Sequence, residues 1–187
     1  MRPAILYYAP GDTFRHVIDW TARLPTSTTI ASAAVTGLPS GWTLVSESST
    51  TTTHTFTVTI DAGATDGADY SFVSRITLSA GGTVDQTLRI HVASIVLGQA
   101  PIKDPDDANY PLTVDWTKHL PASVTVSSVV WTVPAGLTGG AESATSTTTT
   151  KRLTGGTAGT DYTLTLVVTL SNGEVLTRKV MVLVRTQ

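Results

Sequence analysis

Cysteine is absent from the 187 residues, which excludes disulfides and any thiolate metal site and suits a protein made in reducing cytosol. Charge is scarce as well: Asp, Glu, Lys and Arg make up 14% and the net charge is −2. Without a clustered basic surface, neither nucleic acid nor a membrane face is expected as a partner. No apolar run approaches the roughly 20 residues that span a bilayer. The opening Met1-Arg2-Pro3-Ala4-Ile5-Leu6-Tyr7-Tyr8 is cut off by Pro10-Gly11 before it reaches signal-peptide length. Helix formers are thin, with glutamate only at Glu47, Glu142 and Glu174. The abundant Thr and Ser favour strands and polar loops instead.

Catalytic signatures are missing too. His16, His54, His91 and His119 are scattered, with no pair at metal-ligand spacing. No Gly-x-Ser-x-Gly elbow, phosphate loop or dinucleotide fingerprint occurs. The expectation is a protein that is not an enzyme and carries no cofactor.

What the chain does contain is a repeat. Val17-Ile-Asp19-Trp20-Thr-Ala-Arg-Leu24-Pro25 matches Thr113 to Pro121 at an offset of 96 (116 − 20). Gly63 to Tyr70 matches Gly155 to Tyr162 at an offset of 92 (162 − 70), and Leu78-Ser-Ala-Gly81 matches Leu170-Ser-Asn-Gly173 at the same offset. A repeat of about 90 residues occurring twice means two copies of a domain, since solenoid periods are roughly 20 to 50 residues. The expected domains are residues 1–93 and 94–187, joined without a Pro/Gly/Ser linker near Ala93-Ser94 and therefore stiffly.

Period-two alternation marks the strands. It is clearest over Thr51 to Ile60, where Thr53, Thr55, Thr57 and Thr59 oppose His54, Phe56, Val58 and Ile60. The threonine face should be wet and the other buried. Ile5 to Tyr8, Thr13 to Trp20, Thr28 to Thr36, a run from Trp42, and the pair Tyr70–Leu78 and Thr83–Val92 complete the first copy. The second follows as Val96-Leu97, a loop Lys103 to Asn109, Leu112–Trp116, Val124–Val133, Leu137 onward, Thr147–Leu153, Asp161–Leu170 and Glu174–Val184, with the last turn on Ser171-Asn172-Gly173, where Asn and Gly both tolerate positive φ. Roughly seven short strands per copy with regular turns give an all-β fold of two tandem immunoglobulin-like β-sandwich domains.

Several residues invite roles. Tyr70 and Tyr162, each after a Gly-rich turn at the start of a long strand, read as tyrosine corners. Trp20 and Trp116 hold matched positions and read as packing residues, and the preceding Asp19 and Asp115 as ligands of local backbone amides. Trp42 and Trp131 do not align; a core role is expected, and the other use would be as exposed platforms for a sugar. Asp104, Asp106, Asp107 and Asn109 crowd oxygens into one turn. Such loops can bind Ca²⁺, but this one lacks EF-hand spacing, and a solvated Asx-type turn is the expected reading. Ile5, Leu6, Tyr7 and Tyr8 form the candidate docking strand, because an edge strand leaves backbone groups that a partner can complete.

The blocks Lys103-Asp-Pro-Asp-Asp107, Val114-Asp-Trp116, Val129-Val-Trp131-Thr-Val-Pro134, Leu153-Thr-Gly-Gly-Thr-Ala-Gly159-Thr-x-Tyr162 and Thr169-Leu-Ser-x-Gly173 resemble small structural proteins of tailed bacteriophages, the fibre–tail adaptor or Ig-like virion proteins. The resemblance covers most of residues 100–187, whereas the first half carries only the Asp19-Trp20 and Gly-turn-Tyr70 blocks. It implies a virion component made in the host cytoplasm, a neck or tail adaptor that forms a homo-oligomeric ring. It would contact portal, tail or fibre proteins and has no catalytic residues to carry over. The alternatives are a capsid decoration or head-fibre protein, and a carbohydrate-binding module of a receptor-binding device.

Overall fold

The computed structural model describes residues 5–94, 97 and 100–186 and folds them as two compact units, Met1–Ala93 and Ser94–Gln187. In the first unit, β1 (Ile5–Tyr8), β2 (Thr13–Asp19), β3 (Ile30–Thr36), β4 (Thr43–Ser49), β5 (Thr53–Thr59), β6 (Ala68–Leu78) and β7 (Thr83–Val92) are joined by turns, with one 3₁₀ turn at Thr21–Arg23. They build two sheets, β1-β7-β6-β3 and β2-β5-β4. β1 lies parallel to β7, Ile5 opposite Arg89 and Tyr8 opposite Val92; the other pairs are antiparallel.

Alternation fixes which side of each strand is inside. In β5, His54, Phe56 and Val58 are fully buried while the threonines between them are partly exposed. Phe56 of one sheet meets Phe72 of the other edge-on, centroids 5.8 Å apart, so this pair ties the layers together across the core. A buried aromatic of this size removes about 150–250 Å² from water, worth about 4–6 kcal/mol as an upper bound.

The second unit repeats this plan strand for strand. β8 (Ile102–Lys103), β9 (Tyr110–Asp115), β10 (Val126–Thr132), β11 (Leu137–Ala144), β12 (Thr148–Gly155), β13 (Asp161–Leu170) and β14 (Val175–Val184) form the sheets β8-β14-β13-β10 and β9-β12-β11. β3 and β10 are bulged at the same place, between Ile30 and Ser32 and between Val126 and Ser128. A non-glycine residue with positive φ also recurs, Ser27 and Ser123, both at 63°. Each follows Leu-Pro and closes a turn from the proline carbonyl (Thr28 N to Pro25 O, 3.0 Å; Val124 N to Pro121 O, 3.1 Å). Seven strands in two facing sheets, the first strand lying on the last, make each unit an immunoglobulin-like β-sandwich.

Three expectations need correction or placing. Among the described residues the first strand of the second unit is Ile102–Lys103; of the expected Val96-Leu97 start, Leu97 lies outside any strand and Val96 falls outside the described residues. Lys103 therefore belongs to a strand, and it is fully buried, not the head of a solvated loop. β8 has two residues where β1 has four because Pro101, which takes the place of Leu6, has no N–H to give to β14. At the last hairpin only Gly173 takes positive φ (85°). Gly173 N bonds Leu170 O (2.9 Å) and Leu170 N bonds Glu174 O (2.8 Å). This is the three-residue loop Ser171-Asn172-Gly173, ending in a left-handed glycine.

Candidate interaction surface

The matched residues hold the scaffold. Tyr70 Oη accepts a hydrogen bond from Thr65 N (3.0 Å) and Tyr162 Oη accepts one from Thr157 N (3.1 Å). Each hydroxyl thus ties the start of its strand to backbone five residues upstream, in the manner of a tyrosine corner. Asp19 Oδ1 accepts Thr21 N and Asp115 Oδ1 accepts Thr117 N, both at 2.8 Å. Hydrogen bonds from the Thr21 and Thr117 side chains and amides hold these carboxyls below their ordinary range. They close the turn that drops Trp20 and Trp116 into the two cores, where neither retains any exposure. Gly136 sits under the second corner: an added Cβ would lie 2.8 Å from Tyr162 Oη, at φ +96°. Gly136→Ala is expected to destabilise by about 1–3 kcal/mol, read as a lower urea midpoint. Gly173→Ala, at φ +85° in open space, meets no clash and should cost only the left-handed backbone penalty of about 1–2 kcal/mol.

One cluster escaped the sequence reading. His54 Nδ1 lies 2.7 Å from Ser74 Oγ, and His54 Nε2 lies 3.0 Å from Glu47 Oε1. The same carboxylate oxygen accepts Val35 N at 2.5 Å. Serine, histidine and acid in a row suggest a hydrolase triad, but the arrangement cannot act as one. Ser74 and His54 are fully buried, so no substrate reaches the hydroxyl, and the acid sits on Nε2, the nitrogen a triad gives to the serine. Here the three groups satisfy one another and pin β4 and β5 to β6 and β3.

The aspartate-rich loop turns inward on itself. Asp104 N donates to Asp107 Oδ2 (3.2 Å) and Asp106 N to Asp104 Oδ1 (2.9 Å), which is the Asx-turn alternative to a calcium shell. Among the described residues no three acidic or histidine side chains are placed to hold a metal ion. Trp42 and Trp131, each 7% exposed, belong to the two cores, so they offer no platform to a sugar. In the second unit a groove of about 680 Å³ is lined in part by Leu97, Ile102, Tyr110, Leu112 and Val180. The first unit fills the matching corner with Tyr8 stacked on Phe14 at 4.3 Å, and the second has Lys103 and Tyr110 in their places.

β1 divides its four residues between two tasks. Leu6 and Tyr8 pack on the core, whereas Ile5 is 46% and Tyr7 63% exposed. The candidate docking set therefore offers two side chains, not four. Ala93 N donates to Tyr8 O (2.8 Å), which turns the Tyr8 backbone toward β7. The alternation of a strand then turns the N–H and C=O of Tyr7 toward the open edge of the sheet. On the outer face Tyr7, His91 and Asp69 stand in one row: the Tyr7 and His91 rings are 5.3 Å apart, and His91 Nδ1 is 2.7 Å from Asp69 Oδ1. At the corresponding row of the second unit stand Ile102, Leu183 and Asp161. This outer row thus differs between the copies.

No curated protein matches the chain. Similar solved structures include an endo-fucoidan hydrolase of glycoside hydrolase family 107 (16% identity, 98% of this chain and 33% of that one, TM-score 0.38). They also include the titin Ig tandem domains (12%, 98% and 92%, 0.31) and a Bacteroides ovatus glucan-utilisation protein, SGBP-B, in complex with a mixed-linkage heptasaccharide (16%, 95% and 42%, 0.28). The chain spans about a third of the fucoidan hydrolase it matches. A family model described as "Podophage GP4 fiber-tail adaptor protein gp77" matches residues 9–91 and 103–183.

Proposed function

The chain belongs to the podophage GP4 fibre-tail adaptor family, and from that premise we propose that it is a structural virion part, assembled as a ring at the neck or tail, that attaches fibres to the particle through its sheet edges. The observation that carries this reading is the family match over both sandwiches, joined by an open strand whose outward backbone is unclaimed among the described residues. A structural adaptor needs rigid units and borders, and the polar clusters of this chain are spent on holding strands together.

Tyr7→Pro tests the docking edge. The Tyr7 N–H faces outward, so proline there leaves the β1–β7 bonds in place and removes an edge donor together with the exposed ring. The variant is expected to keep the thermal midpoint of the parent, while particles complemented with it lose fibres and infectivity. Normal fibre content would reject β1 as the docking edge. Counting copies per particle by quantitative mass spectrometry separates a ring, with a small cyclic number of subunits, from a shell decoration present in hundreds.

A further inference from the structure

We propose that the cleft beside β1 is a carboxylate-reading subsite, in which Arg89 pairs with an Asp or Glu side chain of an extended segment of another virion protein laid along the open edge of β1. This deepens the docking reading and rests on it. The cleft, about 200 Å³, is lined by Ile5, Asp69, Tyr70, Ser71 and Arg89. Arg89 is exposed and, among the described residues, has no hydrogen bond or ion pair.

That idleness sets it apart from the other arginines of the unit's surface. Arg75 grips Asp85 with both Nε and Nη2 (2.7 and 2.8 Å), and Arg23 Nη1 donates to Gln86 Oε1. Asp69, which also lines the cleft, has its Oδ1 held by His91 in the next row. Arg89 is therefore a guanidinium without a counter-ion, standing in the row of Ile5 and Ser71.

Position says what the counter-ion is. A strand added at β1 runs two strand spacings, about 10 Å, from β7, a gap that an arginine and a glutamate span together. The guanidinium fork supplies two parallel donors for a charge-assisted, two-pronged bond. Arg89 stands in the Ile5 row, so the acidic side chain belongs in that row and the register of the added strand is fixed. In the second unit Met181 replaces Arg89, and Arg185 Nη2 already pairs with Asp161 (2.6 Å). The subsite therefore belongs to the first unit alone and makes the two units distinguishable to a partner.

The test uses overlapping short peptides tiled across the tail and fibre proteins of the same phage, with binding to the full chain followed by fluorescence anisotropy. Bound tiles are expected to carry Asp or Glu within an alternating apolar run. Arg89→Gln, or Glu→Gln in the tile, should each weaken binding about tenfold or more, and the two together should cost little beyond either alone. Tyr7→Pro should abolish binding. Loss with Tyr7→Pro but no change with Arg89→Gln would overturn the carboxylate subsite and leave the docking edge standing. Absence of any bound tile, or binding indifferent to both variants, would overturn both. Arg89-dependent self-association of the chain without tile binding would assign the cleft to a neighbouring copy and overturn the proposal as stated.

Discussion

Trp116→Ala is expected to lower the unfolding free energy by about 3–5 kcal/mol, the range for emptying a core of a large aromatic, and Trp20→Ala should do the same. Both indoles are without exposure and follow the same Asp-fixed turn. The more discriminating variants are to phenylalanine. Trp116 Nε1 donates to Thr149 Oγ1 (3.0 Å), and Thr149 is itself fully buried. Trp20 Nε1 is buried without a partner among the described residues. Losing a made bond strands its acceptor and costs about 1–3 kcal/mol, whereas deleting an unmet donor removes a standing penalty. Urea unfolding of the full chain should therefore find Trp116→Phe clearly more damaging than Trp20→Phe. Equal costs would mean that the indole nitrogens play no part in the difference between the two cores.

The same pair shows how far the sequence carries. Asp-Trp at an offset of 96, Gly-turn-Tyr at 92 and the threonine alternation of β5 are local patterns, and each fixes a local outcome: a turn, a corner, a buried face. From them follow the two sandwiches and their strand order. What stays hidden is set by partners distant in the chain. Lys103 reads as solvent-facing because lysine is costly to bury alone, yet it is buried where β8 lies on β14, far along the chain, with its Nζ on the neighbouring Asp104 O at 2.6 Å. His54 reads as one inward residue among four. Nothing in its neighbours announces that Ser74, 20 positions on, and Glu47, 7 positions back, will meet its two nitrogens. Arg89 is one polar beat in an alternating strand, and its lack of a counter-ion appears only when β1 and β6 flank it.

The His54 cluster yields the second large effect. Glu47→Ala leaves His54 Nε2 unmet, which should cost about 1–3 kcal/mol, whereas Val35 N, whose bond to Glu47 is solvent-exposed, turns to water. The second unit solves the same position differently. By register, Thr149 stands for His54 and Leu166 for Ser74, while Glu142, the counterpart of Glu47, takes Lys151 as partner (3.1 Å). Copying that solution, His54→Thr with Ser74→Leu, removes the buried imidazole and hydroxyl together and gives Trp20 Nε1 the threonine acceptor that Trp116 already has. Either single change leaves half a polar network in an apolar core: Ser74 Oγ alone in one, His54 Nδ1 alone in the other. Each single variant is therefore expected to be less stable than the double, with a coupling of about 1–3 kcal/mol in the urea-unfolding cycle. Simple additivity would show that the three groups do not act as a unit. A double variant more stable than the parent would show that the first sandwich tolerates its polar core at a cost to its own stability, as replacement of buried charged groups by apolar packing has the physical scope to do.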